Sequence, residues 1–127
     1  QRLAKRICVE CRVPAPLVGD LVDEVFPGGA PEDFTAFRGA GCSRCASGGS
    51  YGRIAAVEFL PASPAFRGAV SRRCSVDELR EVAVEAGLLP MRDHALDLIR
   101  RGVVAFDELR MLLPPERLRP ERARRGA

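Results

Sequence analysis

Apolar side chains recur every three or four positions through much of the chain, which is the spacing of amphipathic helices. In the N-terminal half this pattern covers residues 17–26, and a Pro-Gly-Gly sequence ends it. In the C-terminal half the pattern predicts four helices, which begin near Ser63, Ser75, Pro90 and Phe106. The pattern therefore indicates a chain whose second half is helical.

Local end signals support two of these helices. Ser63 precedes a proline, and this order is typical of an N-cap followed by the first helical residue. Ser75 and Glu78 match a capping box, in which the two side chains satisfy free backbone N–H groups at a helix start. Gly87 fits the left-handed residue that ends such a helix.

The pattern predicts little β-structure. Residues 53–60 form the one clear strand candidate, an apolar run that a proline closes. Residues 1–7 fit either a helix or a strand that runs into a turn. Pro14 and Pro16 are expected to break regular structure, and residues 30–41 are expected to be a loop. The predicted fold class is therefore mainly α with little β.

Length and charge divide the chain into three parts. Its 127 residues suit one domain or a piece of a larger one. We expect a small metal-binding subdomain over residues 1–60, a helical subdomain over 61–113 and a disordered basic tail over 114–127. The net charge of +3 lies entirely in that tail, so the body has no basic excess of the kind typical of nucleic-acid-binding domains.

Two Cys-x-x-Cys pairs carry the candidate chemistry. Cys8 and Cys11 form the first pair, and Cys42 and Cys45 form the second after a gap of 30 residues. Two such turns supply four thiolates, the full tetrahedral shell of a structural Zn²⁺. A closed four-sulfur shell leaves no open coordination position, so the metal would hold structure and do no chemistry. Two disulfides in an oxidising compartment, or free thiols, are the alternatives.

The remaining cysteine and the only histidine are not assigned to a functional site. Cys74, the odd cysteine, is interpreted as an incidental or partly buried thiol, and His94 as a surface or capping residue. No pair of carboxylates and no Ser/His/Asp or Cys/His set stands out. Lys5 is the only lysine and no glycine precedes it, so the sequence contains no nucleotide-binding P-loop and no catalytic residue is assigned.

A series of short motifs extends along the chain to about residue 113. They are Gln1-Arg2-Leu3, Cys8-x-x-Cys11, Gly41-Cys42-x-x-Cys45, Gly49, Gly52-Arg53, Glu58-Phe59-Leu60, Glu78-Leu79-Arg80, Gly87-Leu88, Met91-Arg92, Gly102 and Phe106-Asp107-Glu108-Leu109. With these motifs the chain resembles the C-terminal end of the type II secretion and type IV pilus assembly ATPases, the general secretory pathway protein E family.

This resemblance implies a role in a larger machine. The four cysteines would be zinc ligands in a small subdomain inserted in a RecA-like ATPase lobe. ATP and Mg²⁺ would bind only to the full-length protein, whose nucleotide-binding motifs lie upstream of this sequence. The resemblance further implies a cytoplasmic hexamer, peripheral at the bacterial inner membrane, whose ATP hydrolysis drives pilin or pseudopilin assembly through inner-membrane platform proteins.

A second hypothesis comes from another functional class. The chain would be a stand-alone zinc-ribbon adaptor that binds nucleic acid through its arginines. Such binding would fall steeply with salt, because phosphate contacts release counterions. The neutral body counts against this hypothesis.

Overall fold

The computed structural model describes residues 1–120. Within this range no helix is long and apolar enough to cross a membrane. The strands are β1 (Arg2–Ile7), β2 (Arg12–Ala15), β3 (Ala36–Gly39) and β4 (Ser50–Ala56). The α-helices are α1 (Asp20–Val25), α2 (Pro64–Ser71), α3 (Val76–Glu85), α4 (Met91–Arg100) and α5 (Leu109–Leu112), and 3₁₀ turns occur at Ser43–Cys45, Phe106–Glu108 and Pro115–Arg117.

The prediction of a mainly α fold is wrong. The structure is 39% helical and 20% strand, with two small antiparallel sheets. One sheet pairs β1 with β4, and the other pairs β2 with β3. The predicted loop over residues 30–41 contains β3, and β2 runs through Pro14. A proline is tolerated there because both strands of a two-stranded sheet are edge strands.

The helical predictions with local end signals are confirmed. The Ser63 hydroxyl accepts a hydrogen bond from the Phe66 N–H at 3.1 Å. Ser75 and Glu78 form the capping box at the start of α3, with N–H to oxygen distances of 3.0 and 3.2 Å. Gly87 follows α3 with a φ of 90°. Short-range chemistry was sufficient to locate these helices.

A hydrophobic cluster joins the two halves of the chain. Ala4 and Ala56 line its sheet side, and Leu98 and Ile99 of α4 pack against them as part of the same core. This cluster takes side chains from both sides of residue 60. The division of the chain into two subdomains at that residue stays a prediction.

The start of the predicted disordered tail is ordered. Leu118 is 1% exposed and belongs to the hydrophobic cluster. The Arg92 guanidinium donates from Nε to the Leu118 carbonyl and from Nη2 to the Val25 carbonyl, each at 2.6 Å. The prediction of disorder from residue 114 is therefore wrong for the first part of the tail, and its remainder, 121–127, lies outside the described residues.

Candidate metal centre

The β2–β3 sheet brings the two cysteine pairs together. Cys8 and Cys11 lie in the turn between β1 and β2, whereas Cys42 and Cys45 lie just after β3. The chain leaves the first pair along β2, passes through α1 and returns along β3, with Arg12 paired to Gly39. Antiparallel pairing thus closes the 30-residue gap that separates the two pairs in the sequence.

The four sulfur atoms form a compact cluster. Cys8 Sγ lies 3.7 Å from Cys42 Sγ, Cys11 Sγ lies 3.9 Å from Cys45 Sγ, and Cys42 Sγ lies 3.7 Å from Cys45 Sγ. All four sulfurs lie within 4.8 Å of one another, and all five cysteines of the chain are free thiols. Four sulfurs placed tetrahedrally around Zn²⁺ at about 2.3 Å would be about 3.8 Å apart. The cluster therefore has the dimensions of a four-sulfur metal shell.

Backbone N–H groups point at two of the sulfurs. Gly41 N lies 3.2 Å from Cys11 Sγ, and Cys42 N and Gly49 N lie 3.3 and 3.2 Å from Cys45 Sγ. Hydrogen bonds of this kind favour the thiolate form, which is the form that binds metal. The loop around Cys45 is thus shaped to stabilise negative charge on sulfur.

The thiols differ in their acidity. Donation from the Cys42 backbone N–H, together with that from Gly49, lowers the pKa of Cys45 to about 7. Desolvation raises the pKa of Cys11 to about 11, although Gly41 donates to its sulfur. Four thiolates this close repel one another, so a cation is required for all four to be deprotonated together near neutral pH. The donor set thus fits a soft divalent metal ion.

Glycines allow the loop that carries the second cysteine pair to fold tightly on itself. A Cβ on Gly39 would lie 1.8 Å from the Gly49 carbonyl oxygen, and a Cβ on Gly41 would lie 2.8 Å from the Ser47 oxygen. Both distances are far below van der Waals contact, so neither position has room for a side chain. The Gly49 carbonyl in turn accepts a hydrogen bond from Cys8 N at 3.0 Å, which links the second loop to the first.

A family model described as Type II/IV secretion system protein matches residues 1–111. The chain belongs to this family. It is 30% identical over 119 residues to the type IV pilus assembly ATPase PilB of Myxococcus xanthus, covering 92% of this chain and 21% of that protein. It is 30% identical over 109 residues to the protein transport protein HofB homolog of Escherichia coli, covering 86% of this chain and 23% of that protein.

A type II secretion protein is also similar. The type II secretion system ATPase E of Vibrio cholerae is 25% identical over 109 residues, covering 86% of this chain and 21% of that protein. The chain thus spans only about a fifth of the length of these relatives. The family assignment made from the cysteine and glycine motifs is confirmed.

The secretion-family chain has polar contacts beside the cysteines that sequence reasoning missed. Arg44, between Cys42 and Cys45, lies 3.1 Å from the Glu10 carboxylate of the other loop, and its guanidinium lies 5.1 Å from the centre of the Tyr51 ring. Arg44 and Glu10 each occupy a position inside a Cys-x-x-Cys turn, and their opposite charges could have predicted an ion pair between the two turns. Because both side chains are half exposed, this pair contributes at most about 1 kcal/mol.

The other two residues considered from sequence lie outside the cluster. Cys74 is half-buried at the turn between α2 and α3. His94 of α4 is half-buried, and its Nδ1 accepts a hydrogen bond from the Val57 backbone N–H at 3.0 Å. His94 therefore fixes the chain just after β4 and is not one of the clustered metal-ligating side chains.

Proposed function

We propose that this chain is the C-terminal, zinc-binding part of a bacterial type II secretion or type IV pilus assembly ATPase. Cys8, Cys11, Cys42 and Cys45 would hold one structural Zn²⁺. The observation that carries the proposal is the four-sulfur cluster, whose 3.7–3.9 Å separations match the edge of a tetrahedral zinc–thiolate site. Membership of the secretion family supports the cellular context.

The loop that follows Cys45 adopts an unusual backbone conformation. Ala46 and Ser47, directly after Cys45, have φ values of 50° and 63°. A non-glycine residue in this left-handed region costs about 1–2 kcal/mol. Hydrogen bonds from Ser47 N to Cys42 O at 2.9 Å and from Gly48 N to Cys45 O at 3.0 Å hold this conformation, and a metal bond at Cys45 would add to them.

The metal would act as a staple between two loops. When bound, it would supply only a structural cross-link, because four protein thiolates leave no position for water or substrate. The N–H groups of Gly41, Cys42 and Gly49 would donate to the metal-bound thiolates of Cys11 and Cys45 and orient them. The loop of residues 8–11 would then be fixed against that of residues 42–45.

The context of the longer protein is part of the same proposal. The relatives PilB and ATPase E are named as ATPases of pilus assembly and type II secretion. By analogy, the longer protein containing this chain would bind ATP and Mg²⁺ through segments outside it. That protein would act as a cytoplasmic hexamer, peripheral at the inner membrane, and this chain would contact neighbouring subunits or platform proteins. The chain alone would hydrolyse no ATP.

Elemental analysis of protein purified without chelator or added metal tests the zinc assignment. We expect one zinc per chain and no thiol of the cluster reactive in the native state. No metal together with four reactive native thiols would contradict the site. One iron per chain and a coloured protein would contradict zinc, since iron also accepts four thiolates. ATP turnover above background by this chain would contradict the structural role.

A further inference from the structure

The outer edge of β4 is the side of this strand that is turned away from β1. Lys5 N donates to Glu108 Oε2 at 2.9 Å, so the Lys5 N–H points away from β4. Arg53 lies directly opposite Lys5, and two opposite residues of an antiparallel pair point their main-chain groups either both inward or both outward. The N–H and C=O of Arg53 therefore lie on the outer edge. Those of Ala55 lie there too, because alternate residues share an edge.

The outer edge is covered at one end only. Val57, the next residue along it, donates its N–H to His94 Nδ1 at 3.0 Å. No strand among residues 1–120 pairs with Arg53 and Ala55 on this side, since the sheet consists of β1 and β4. Arg53 is exposed and Ala55 is half-buried. The outer edge thus offers two N–H and two C=O groups to an added strand.

The sheet face beside this edge carries two cations without partners. Lys5 and Arg53 form a non-hydrogen-bonded pair, the arrangement in which opposite side chains are closest. Among residues 1–120 neither side chain makes a hydrogen bond or an ion pair. The Glu108 carboxylate binds the Lys5 backbone on the far edge of β1. Like charges directly opposite destabilise a sheet, so a carboxylate next to Arg53 would relieve this pair.

The neighbouring row of the same face is apolar. Leu3, which is 62% exposed, lies opposite Ala55. A large apolar side chain on an added strand would reach Leu3 across the small Ala55. The face therefore fits a strand with an acidic residue beside Arg53 and an apolar residue beside Ala55, two positions apart.

Charge disfavours two other occupants of this edge. A second copy that paired through the same edge would bring the two Arg53 side chains close to each other. The chain's own residues 121–127 carry three arginines and one glutamate. Arg53 and the adjacent bulge at Gly52, where φ is 78°, also guard the edge against neutral strands. What remains is an acidic segment from another protein.

We propose that the outer edge of β4 binds an extended acidic segment of a protein partner as a third strand. Main-chain hydrogen bonds to Arg53 and Ala55 would supply affinity. The carboxylate beside Arg53 and the apolar side chain that reaches Leu3 would supply selectivity. The inference rests on neither the metal site nor the ATPase assignment.

NMR titration of the 127-residue chain with designed peptides tests the proposal. The probe is an eight-residue peptide that repeats Thr-Glu-Thr-Val, and the matched peptide has lysine in place of each glutamate. A third peptide is the probe with N-methylated glutamates and valines, which removes the main-chain donors that would face β4. Amide shifts and hydrogen exchange locate the contact and give the affinity.

The expected result is specific to two amides. The probe should shift the amides of Arg53 and Ala55 and protect them from hydrogen exchange. The Val57 amide, which His94 already binds, should gain no protection. We expect the probe to bind about fivefold more tightly than the lysine peptide, and the N-methylated peptide not to bind.

Charge reversal distinguishes this edge from general attraction of an acidic peptide. A double variant, Lys5→Glu with Arg53→Glu, should bind the lysine peptide more tightly than the probe. Arg38→Glu is the matched control, because it changes an exposed arginine of β3 in the other two-stranded sheet. It should leave both affinities unchanged. Circular dichroism verifies that the variants fold.

Five results would overturn the proposal. Three concern the peptides: no shift or protection of the Arg53 and Ala55 amides at millimolar probe, equal binding of the N-methylated peptide, and equal effects of Arg38→Glu and the double variant. Self-association of the free chain through these two amides would assign the edge to a second copy. Tighter binding of a single-stranded thymidine oligonucleotide than of the probe would assign the two cations to nucleic acid.

Discussion

Replacing Cys42 by serine tests how much the proposed metal contributes to stability. Serine keeps nearly the size of the side chain but removes one thiolate from a cluster in which three of the sulfur–sulfur distances are 3.7–3.9 Å. Structural zinc sites contribute on the order of 12 kcal/mol of apparent binding free energy, or roughly 3 kcal/mol per ligand. For a domain of this size, roughly 3 kcal/mol corresponds to a fall in Tm of about 10 °C.

The structure also locates the expected loosening. Ala40 N donates to Cys11 O at 2.8 Å, Ser47 N donates to Cys42 O at 2.9 Å, and Cys8 N donates to Gly49 O at 3.0 Å. These amides should lose protection from hydrogen exchange in Cys42→Ser. Amides of α4 should keep it, because α4 packs in the hydrophobic cluster.

Zinc content, thermal unfolding and hydrogen exchange are the measurements. Cys74→Ser is the matched control, since it makes the same replacement of sulfur by oxygen at a cysteine outside the cluster. It should retain one zinc and the parent Tm. If Cys42→Ser also kept one zinc and melted within about 2 °C of the parent, the energetic reasoning would be refuted.

Three further predictions follow from other contacts. Gly39→Ala should lower the free energy of unfolding in urea by more than about 2 kcal/mol, because its Cβ would meet a backbone oxygen at 1.8 Å. Gly68→Ala, in the middle of α2, should instead raise it by about 0.5–1 kcal/mol. Equal effects of the two changes would contradict the packing argument. Arg92→Met should cost about 2–4 kcal/mol in the same assay, because two buried carbonyls lose a charged donor, and an unchanged midpoint would show that water replaces it. The Ser75 backbone N–H and hydroxyl lower the pKa of Glu78 in the folded state. The ionised Glu78 carboxylate therefore contributes stability above its unfolded pKa, and this stability is lost as pH falls through the folded pKa. Protection factors of the amides at the start of α3, which correct exchange rates for their intrinsic pH dependence, should therefore fall on acidification in the parent but not in Glu78→Gln, and equal pH dependence would refute the assignment.

The sequence by itself determined the features that depend on neighbouring residues. A capping box needs only a serine and a glutamate three positions apart, so Ser75 and Glu78 located the start of α3 without knowledge of the fold. A Cys-x-x-Cys turn is equally local, because its two cysteines are three positions apart. The four residues named from spacing are the four whose sulfurs cluster.

The tertiary structure alone decided which strands pair and that the segment around Leu118 packs in the core. β2 and β3 are four residues each and contain a proline and a glycine, so their own sequences carry almost no strand signal. Their pairing depends on contacts between residues more than twenty positions apart, and it is what carries Cys42 back to Cys11. Leu118 lies in a charged segment without a stripe, yet it is buried because Arg92 and the core hold it there. Such long-range contacts depend on the packed core, so a local sequence pattern does not predict them.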